Sequence, residues 1–133
     1  MNNYITLLRE HNLKATPQRL AIVDALLING HMSTDSLYHL MIEKFHSISL
    51  ATIYKNINLM LENSFIQEVK IPHAKSVYEL TKENHAHLIC EKCGAISDLD
   101  LDLYTLVENA AKKTNFKIMK TDLVSSGICK NCQ

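Results

Sequence analysis

The chain has four cysteines, and all of them fall in two Cys-x-x-Cys pairs, Cys90/Cys93 and Cys129/Cys132. Two such hooks are the ligand set of a closed tetrahedral zinc site, with zinc–sulfur bonds of about 2.3 Å and no open position. One Zn2+ on all four thiolates would tie the segment at Cys90 to the far end of the sequence. Everything between them must then fold as a unit closed on itself. Thioredoxin-type chemistry wants Cys-x-x-Cys at the opening of a helix, whereas Cys90 follows a strand-like run and Cys93 precedes Gly94. A rubredoxin-like iron centre uses similar hooks, and structural zinc is the expected ion.

A staple is useful because 133 residues make either one domain or two very small ones, and small units bury little apolar surface. The start, Met1-Asn2-Asn3-Tyr4, has no basic-then-apolar leader, and no apolar run approaches the ~20 residues of a membrane span. A cytoplasmic protein with no membrane partner is therefore expected, in a compartment where thiols stay reduced. The 14 Lys/Arg balance the 14 Asp/Glu. Any nucleic-acid contact must come from a local patch rather than from overall charge.

Helix signals dominate the first half. An apolar period at Tyr4, Leu7 and Leu8 predicts a helix over 3–11. Thr16-Pro17 supplies an N-cap followed by proline at the first helical position, opening a helix through Leu20, Ile22, Val23, Leu26 and Leu27 to Asn29-Gly30. Ser33 or Thr34 caps a third helix with Leu37, Leu40, Met41 and Phe45 inward, and Ser49 caps a fourth, Leu50 to about Asn63. Strands are predicted over 65–71 and 76–80, joined by Pro72-His73-Ala74-Lys75. Helices followed by a two-stranded hairpin make a winged helix-turn-helix plan, with the helix that starts after Ser49 in the recognition position.

After a polar hinge at 81–84 the pattern changes. Strands are expected over 86–90 and 95–99, a helix over 101–113 and a final strand over 116–124. The fold class is α+β: a winged helix-turn-helix DNA-binding domain over 1–80 and a small α/β domain over 85–133 that carries the zinc staple.

His85 and His87 are two apart in a strand, so both rings leave on the same side and can share a metal, with Asp98 as a third ligand from the same half. Ordinary alternatives exist for each: strand histidines are often bystanders, and Asp98-x-Asp100-x-Asp102 reads as a solvated face. His31, at a helix junction, and Glu79, in the second wing strand, read as surface residues on their own. In the recognition helix, Ser49 and Thr52 allow close approach to phosphates, Tyr54 and Asn56 are placed for bases, and Lys55 for a phosphate or guanine. Lys14 and Arg19 bracket the Thr16-Pro17 corner and are placed for the DNA backbone or minor groove.

Taken together, Leu13-Lys14-Ala15-Thr16-Pro17-Gln18-Arg19, Ser49-Leu50-Ala51-Thr52-Ile53-Tyr54, His85-x-His87-x2-Cys90-x2-Cys93-Gly94 and Cys129-x2-Cys132 resemble the ferric uptake regulator superfamily of metal-dependent repressors. The resemblance implies a homodimer on a double-stranded DNA operator and zinc on the four cysteines. It also implies a regulatory Fe2+ or Mn2+ held by His31, Glu79, His85, His87 and Asp98. Aspartate at 98 looks like the peroxide-sensing branch, in which iron lets peroxide oxidise a histidine ligand; the matching histidines here are His31 and His85. Glu79 departs toward the iron-responsive branch, which stays the alternative. A further metal site of many iron regulators lacks its ligands, since Asn84, Ala86 and Thr105 stand where it would use histidine, aspartate and glutamate. A metal enzyme on His85 and His87, or a zinc-stapled module that binds protein, are readings of other classes. The enzyme has no positioned general base or Gly-rich substrate loop behind it, and the protein-binding module would be favoured by an absence of salt-dependent DNA affinity.

Overall fold

A computed structural model of the chain describes residues 2–82 and 85–133, which form two compact units, Met1–Thr81 and Lys82–Gln133. Glu83 and Asn84 lie outside the described residues. They include half of the expected hinge and one position of the expected missing metal site.

The first unit is helical with a hairpin. Its elements are α1 (Asn2–Glu10), α2 (Pro17–Asn29), α3 (Thr34–Lys44), α4 (Leu50–Glu62), β1 (Ile66–Val69) and β2 (Val77–Leu80). Each of the three compact helices begins as its sequence dictates. Thr16, Ser33 and Ser49 sit in extended backbone, and their hydroxyls accept from the amides of Arg19, Ser36 and Thr52. Such caps satisfy amides that no helical turn reaches, for roughly 1 kcal/mol each. α2 ends at Gly30, whose φ of 78° is one a side chain resists. The core joins Leu8, Ile22, Val23, Leu26, Leu37, Met41, Ile53, Ile57, Met60, Phe65 and Ile66. Leu27 is 44% exposed, and the buried places on α2 are taken by Ala21, Ile22, Val23, Ala25 and Leu26.

β1 and β2 pair antiparallel with Gln67 opposite Glu79. A bridge between Met32 and Tyr78 adds a third short segment to the wing, with Tyr78 N donating to Met32 O at 2.8 Å. That bridge fixes the loop after α2 alongside β2.

The second unit comprises β3 (Ala86–Cys90), β4 (Ile96–Leu99), α5 (Leu103–Thr114), β5 (Val124–Gly127) and a 3-10 turn at Lys130–Cys132. The sheet order is β4-β3-β5, antiparallel on one side and parallel on the other. The final strand lies later than the expected 116–124. Phe116 and Met119 are 69% and 82% exposed, and pairing begins only at Val124. The reason is register: β5 runs parallel to β3 with Gly127 opposite Cys90, which brings Cys129 to Cys90 two residues later. Apolar alternation in 116–124 looked like strand, whereas the ladder uses the polar run Ser125-Ser126-Gly127. Among the described residues the unit buries few apolar side chains (Ala86, Ile89, Cys90 and Leu103). So small a core needs help from a metal or a partner chain.

Candidate metal centres and nucleic-acid interface

β3 turns into a knuckle at Cys90, where Gly94 N donates to Cys90 O at 2.9 Å and Gly94 takes a φ of 77°. The C-terminal hook comes back onto it. One ligand atom from each of Cys90, Cys93, Cys129 and Cys132 lies within 4.8 Å of the others, and Cys93 Sγ is 3.8 Å from Cys129 Sγ. A tetrahedron with ~2.3 Å arms has edges of about 3.8 Å, the separation of the Cys93 and Cys129 sulfurs. Cys90 Sγ accepts from the amides of Cys93, at 3.5 Å, and Cys129, at 3.3 Å. These two bonds pull the Cys90 thiol down to about 6, since N–H donors favour the thiolate. Hydrogen bonding with Cys129, then with Cys90 and Cys93, pushes the Cys132 thiol up to about 12. Four sulfurs converging in this way make a donor set for a soft, tetrahedral cation.

A second group forms on the same sheet. His85 and His87 leave β3 on one side, with ring centroids 4.5 Å apart, and both are buried. Asp98 on β4 is the register partner of His87. Its Oδ1 lies 3.4 Å from His87 Nε2 and 3.7 Å from His85 Nε2. These separations exceed ordinary hydrogen-bond lengths and suit two imidazole nitrogens and a carboxylate oxygen facing a common ion. The acidic run therefore divides by role. Asp102 caps α5, accepting from Tyr104 N at 3.1 Å, with Thr105 Oγ1 on its other oxygen at 3.3 Å.

In the first unit, Glu79 is fully buried, which a carboxylate tolerates only when paired. Its Oε2 is 2.8 Å from His31 Nε2, and Gln67 Nε2 donates to its Oε1 at 2.5 Å. The bridge between Met32 and Tyr78 brings His31 to it. Both residues read as surface positions in isolation, and the fold buries Glu79 fully and leaves the His31 side chain only 11% exposed beside it. Gln67 was not anticipated. Hairpin register would have found it, because Gln67 and Glu79 are directly opposed on one face.

The prospective DNA-facing residues separate too. Lys14, Ser49, Tyr54 and Lys55 are exposed, and the Ser49 and Thr52 hydroxyls share a 3.0 Å hydrogen bond at the start of α4. Asn56, expected at a base, is only 7% exposed. Its Nδ2 donates to Thr52 O at 3.0 Å and its Oδ1 accepts from Arg19 Nε at 3.2 Å. In this conformation Asn56 faces Arg19, not solvent. Its position one turn beyond Thr52 puts it on the inner face with Ile53 and Ile57.

Residues 10–126 match the model of the ferric uptake regulator family. The chain is 33% identical over 135 residues to the peroxide-responsive repressor of Staphylococcus saprophyticus, covering 100% of this chain and 91% of that protein. It is 36% identical over 132 residues to the ferric uptake regulation protein of Bacillus subtilis, covering 94% and 89%. Among solved structures, the Campylobacter jejuni peroxide stress regulator is 36% identical and superimposes with a TM-score of 0.78 over 96% of this chain and 98% of that one.

Proposed function

The chain belongs to the ferric uptake regulator family, and we propose that within it the protein is a homodimeric, metal-dependent transcriptional repressor that releases its DNA operator in response to peroxide. The observation that carries this reading is Asp98 facing His85 and His87 across the β3–β4 ladder. His31 with Glu79 in one unit and His85, His87 and Asp98 in the other form two partial ligand sets. A single Fe2+ or Mn2+ taking ligands from both would couple metal binding to the arrangement of the DNA-binding unit, and by reciprocity DNA binding to metal affinity. The four cysteines hold Zn2+ permanently and have no sensing role.

Fe2+ held by these histidines and carboxylates would supply the redox chemistry that activates hydrogen peroxide beside His31 and His85, with the ring as the net electron donor. In net terms one oxygen of hydrogen peroxide enters a ring C–H bond of His31 or His85 and the other leaves as water, a two-electron oxidation of the imidazole. An oxidised His31 or His85 would be a poorer ligand, and the metal-dependent affinity for the operator would fall with it. Operator contacts fall to Tyr54 and Lys55 on α4 and to Lys14 and Arg19 at the start of α2. An apolar surface on the second unit, with Leu106, Tyr104, Phe116 and Met119 exposed, supports dimerisation. No helix among the described residues is long and apolar enough to cross a membrane.

A second reading, an iron-responsive uptake regulator, is favoured by Glu79 and by the likeness to the Bacillus subtilis protein. Mass spectrometry after treating the Fe2+ form with hydrogen peroxide separates the two. A gain of about 16 Da, one oxygen atom, on a peptide containing His31 or His85, absent from the Mn2+ form, is the expected result. Unmodified histidines with intact iron-dependent DNA binding would favour the iron regulator. Loss of any metal effect on DNA binding would overturn both.

A further inference from the structure

The two oxygens of Asp98 face different partners. Oδ1 is the one 3.4 Å from His87 Nε2 and 3.7 Å from His85 Nε2, while Oδ2 lies 2.7 Å from the ammonium of Lys82. The first two separations are loose enough for an ion to enter between the groups. The third is a charge-assisted hydrogen bond at full strength. Lys82 is itself exposed.

We propose that Lys82 is a positioning residue for the regulatory ion: by keeping Oδ2 it makes Asp98 a one-oxygen ligand, with Oδ1 turned to the histidines. The inference rests on reading His85, His87 and Asp98 as ligands. Partners of this kind commonly orient a ligand and tune the ion it holds. Here both consequences act in one direction. The ammonium places a positive charge close to a divalent cation and repels it, and it withholds a second carboxylate oxygen from chelation. Lys82 therefore holds the affinity of the site down and keeps one coordination position for water.

The test titrates the zinc-loaded protein with Mn2+ alone, comparing the unaltered chain with Lys82→Met and Lys82→Arg. The expected result is binding tightened about three- to tenfold in the methionine variant, the size of a screened charge at close range, and unchanged within about twofold in the arginine variant. Water-proton relaxation by the bound Mn2+ should fall in Lys82→Met, as the freed oxygen replaces a coordinated water. A purely structural lysine would not move that signal. Asp98→Ala separates the two levels of the argument. Mn2+ binding that survives Asp98→Ala overturns the ligand assignment and the role of Lys82 with it. Loss of binding in Asp98→Ala, together with equal or weaker binding in Lys82→Met, overturns the role of Lys82 alone.

Discussion

Arg19 Nε donates to Asn56 Oδ1 at 3.2 Å, joining the start of α2 to the second turn of α4. Arg19 Nη1 also donates to Lys14 O at 3.1 Å. The guanidinium is thus held on one edge by α4 and on another by the turn that carries Lys14. Its remaining donors are free to take a phosphate in a fixed direction.

Asn56→Ala should therefore behave as an Arg19 mutation without touching DNA. Each of Asn56→Ala and Arg19→Ala is expected to weaken operator binding by about 1–2 kcal/mol, and the double variant by little more than the larger single loss. Both should reduce the slope of log affinity against log salt by about one unit, as for one lost phosphate contact. Fluorescence anisotropy on a selected duplex at several salt concentrations measures both quantities. Strictly additive losses would mean that Asn56 acts independently of Arg19.

The cysteine cluster gives the metal-free protein a pH signature. The Cys90 thiol sits at about 6, below its ordinary value of 9.0, because the amides of Cys93 and Cys129 donate to it. A depressed value contributes stability that is fully present above about 9 and is lost as pH falls toward 6. Cys132, raised to about 12 by its hydrogen bonds to the other thiols, acts oppositely: its contribution is present below about 9 and lost as pH climbs toward 12. The reduced, zinc-stripped protein should thus gain melting temperature from pH 6 to pH 9 and lose it beyond. With zinc bound, a plateau should extend down to the pH where protons displace the metal. A scan of melting temperature against pH with and without chelator checks this, and a flat metal-free profile would contradict it.

Much of the first unit was legible because its signals are local. Thr16-Pro17 and Ser49 announce helix starts through hydrogen bonds that span three residues, and the structure places the caps there. The four cysteines were legible for a different reason, since their chemistry allows few alternatives. Three features were hidden in long-range register. Val124–Gly127 is a strand because Gly127 must face Cys90, although its composition is poor for a strand. Glu79 is buried because Gln67 and His31 reach it from other segments. Asn56 points inward because Arg19, 37 residues earlier, offers it a donor. Lys82 left no sequence signal, as nothing local distinguishes it from a solvated lysine.

Glu79 carries a prediction in which stability and sensing separate. Removing its carboxylate takes an acceptor from the Gln67 amide and from the His31 ring, both only partly exposed, and leaves a hole at a fully buried position. Glu79→Ala should cost about 2–4 kcal/mol of unfolding free energy. Glu79→Gln retains an acceptor for His31 and should cost less than half as much. Both should lose the metal dependence of DNA binding, since a neutral amide is a weak ligand for Fe2+ or Mn2+. Chemical denaturation paired with DNA-binding titrations distinguishes the two effects. A Glu79→Gln variant with undiminished metal response would remove Glu79 from the ligand set.

The apolar side of α5 predicts how the chain assembles. Leu103 is buried, yet Leu106 on the next turn is 58% exposed and Tyr104 is 68% exposed. Helical spacing puts Leu103, Leu106, Val107 and Ala110 on one face, and of these only Leu103 is buried. A two-fold dimer would bury each such residue twice, once per protomer. Burying a leucine contributes about 1.5–3 kcal/mol, so Leu106→Glu should weaken dimerisation by about 3–6 kcal/mol, about 150-fold or more. Sedimentation at micromolar concentration should find the variant monomeric where the unaltered protein is dimeric. The first unit should keep its fold, because its core draws only on residues before Thr81. A variant that stays dimeric would move the interface away from α5.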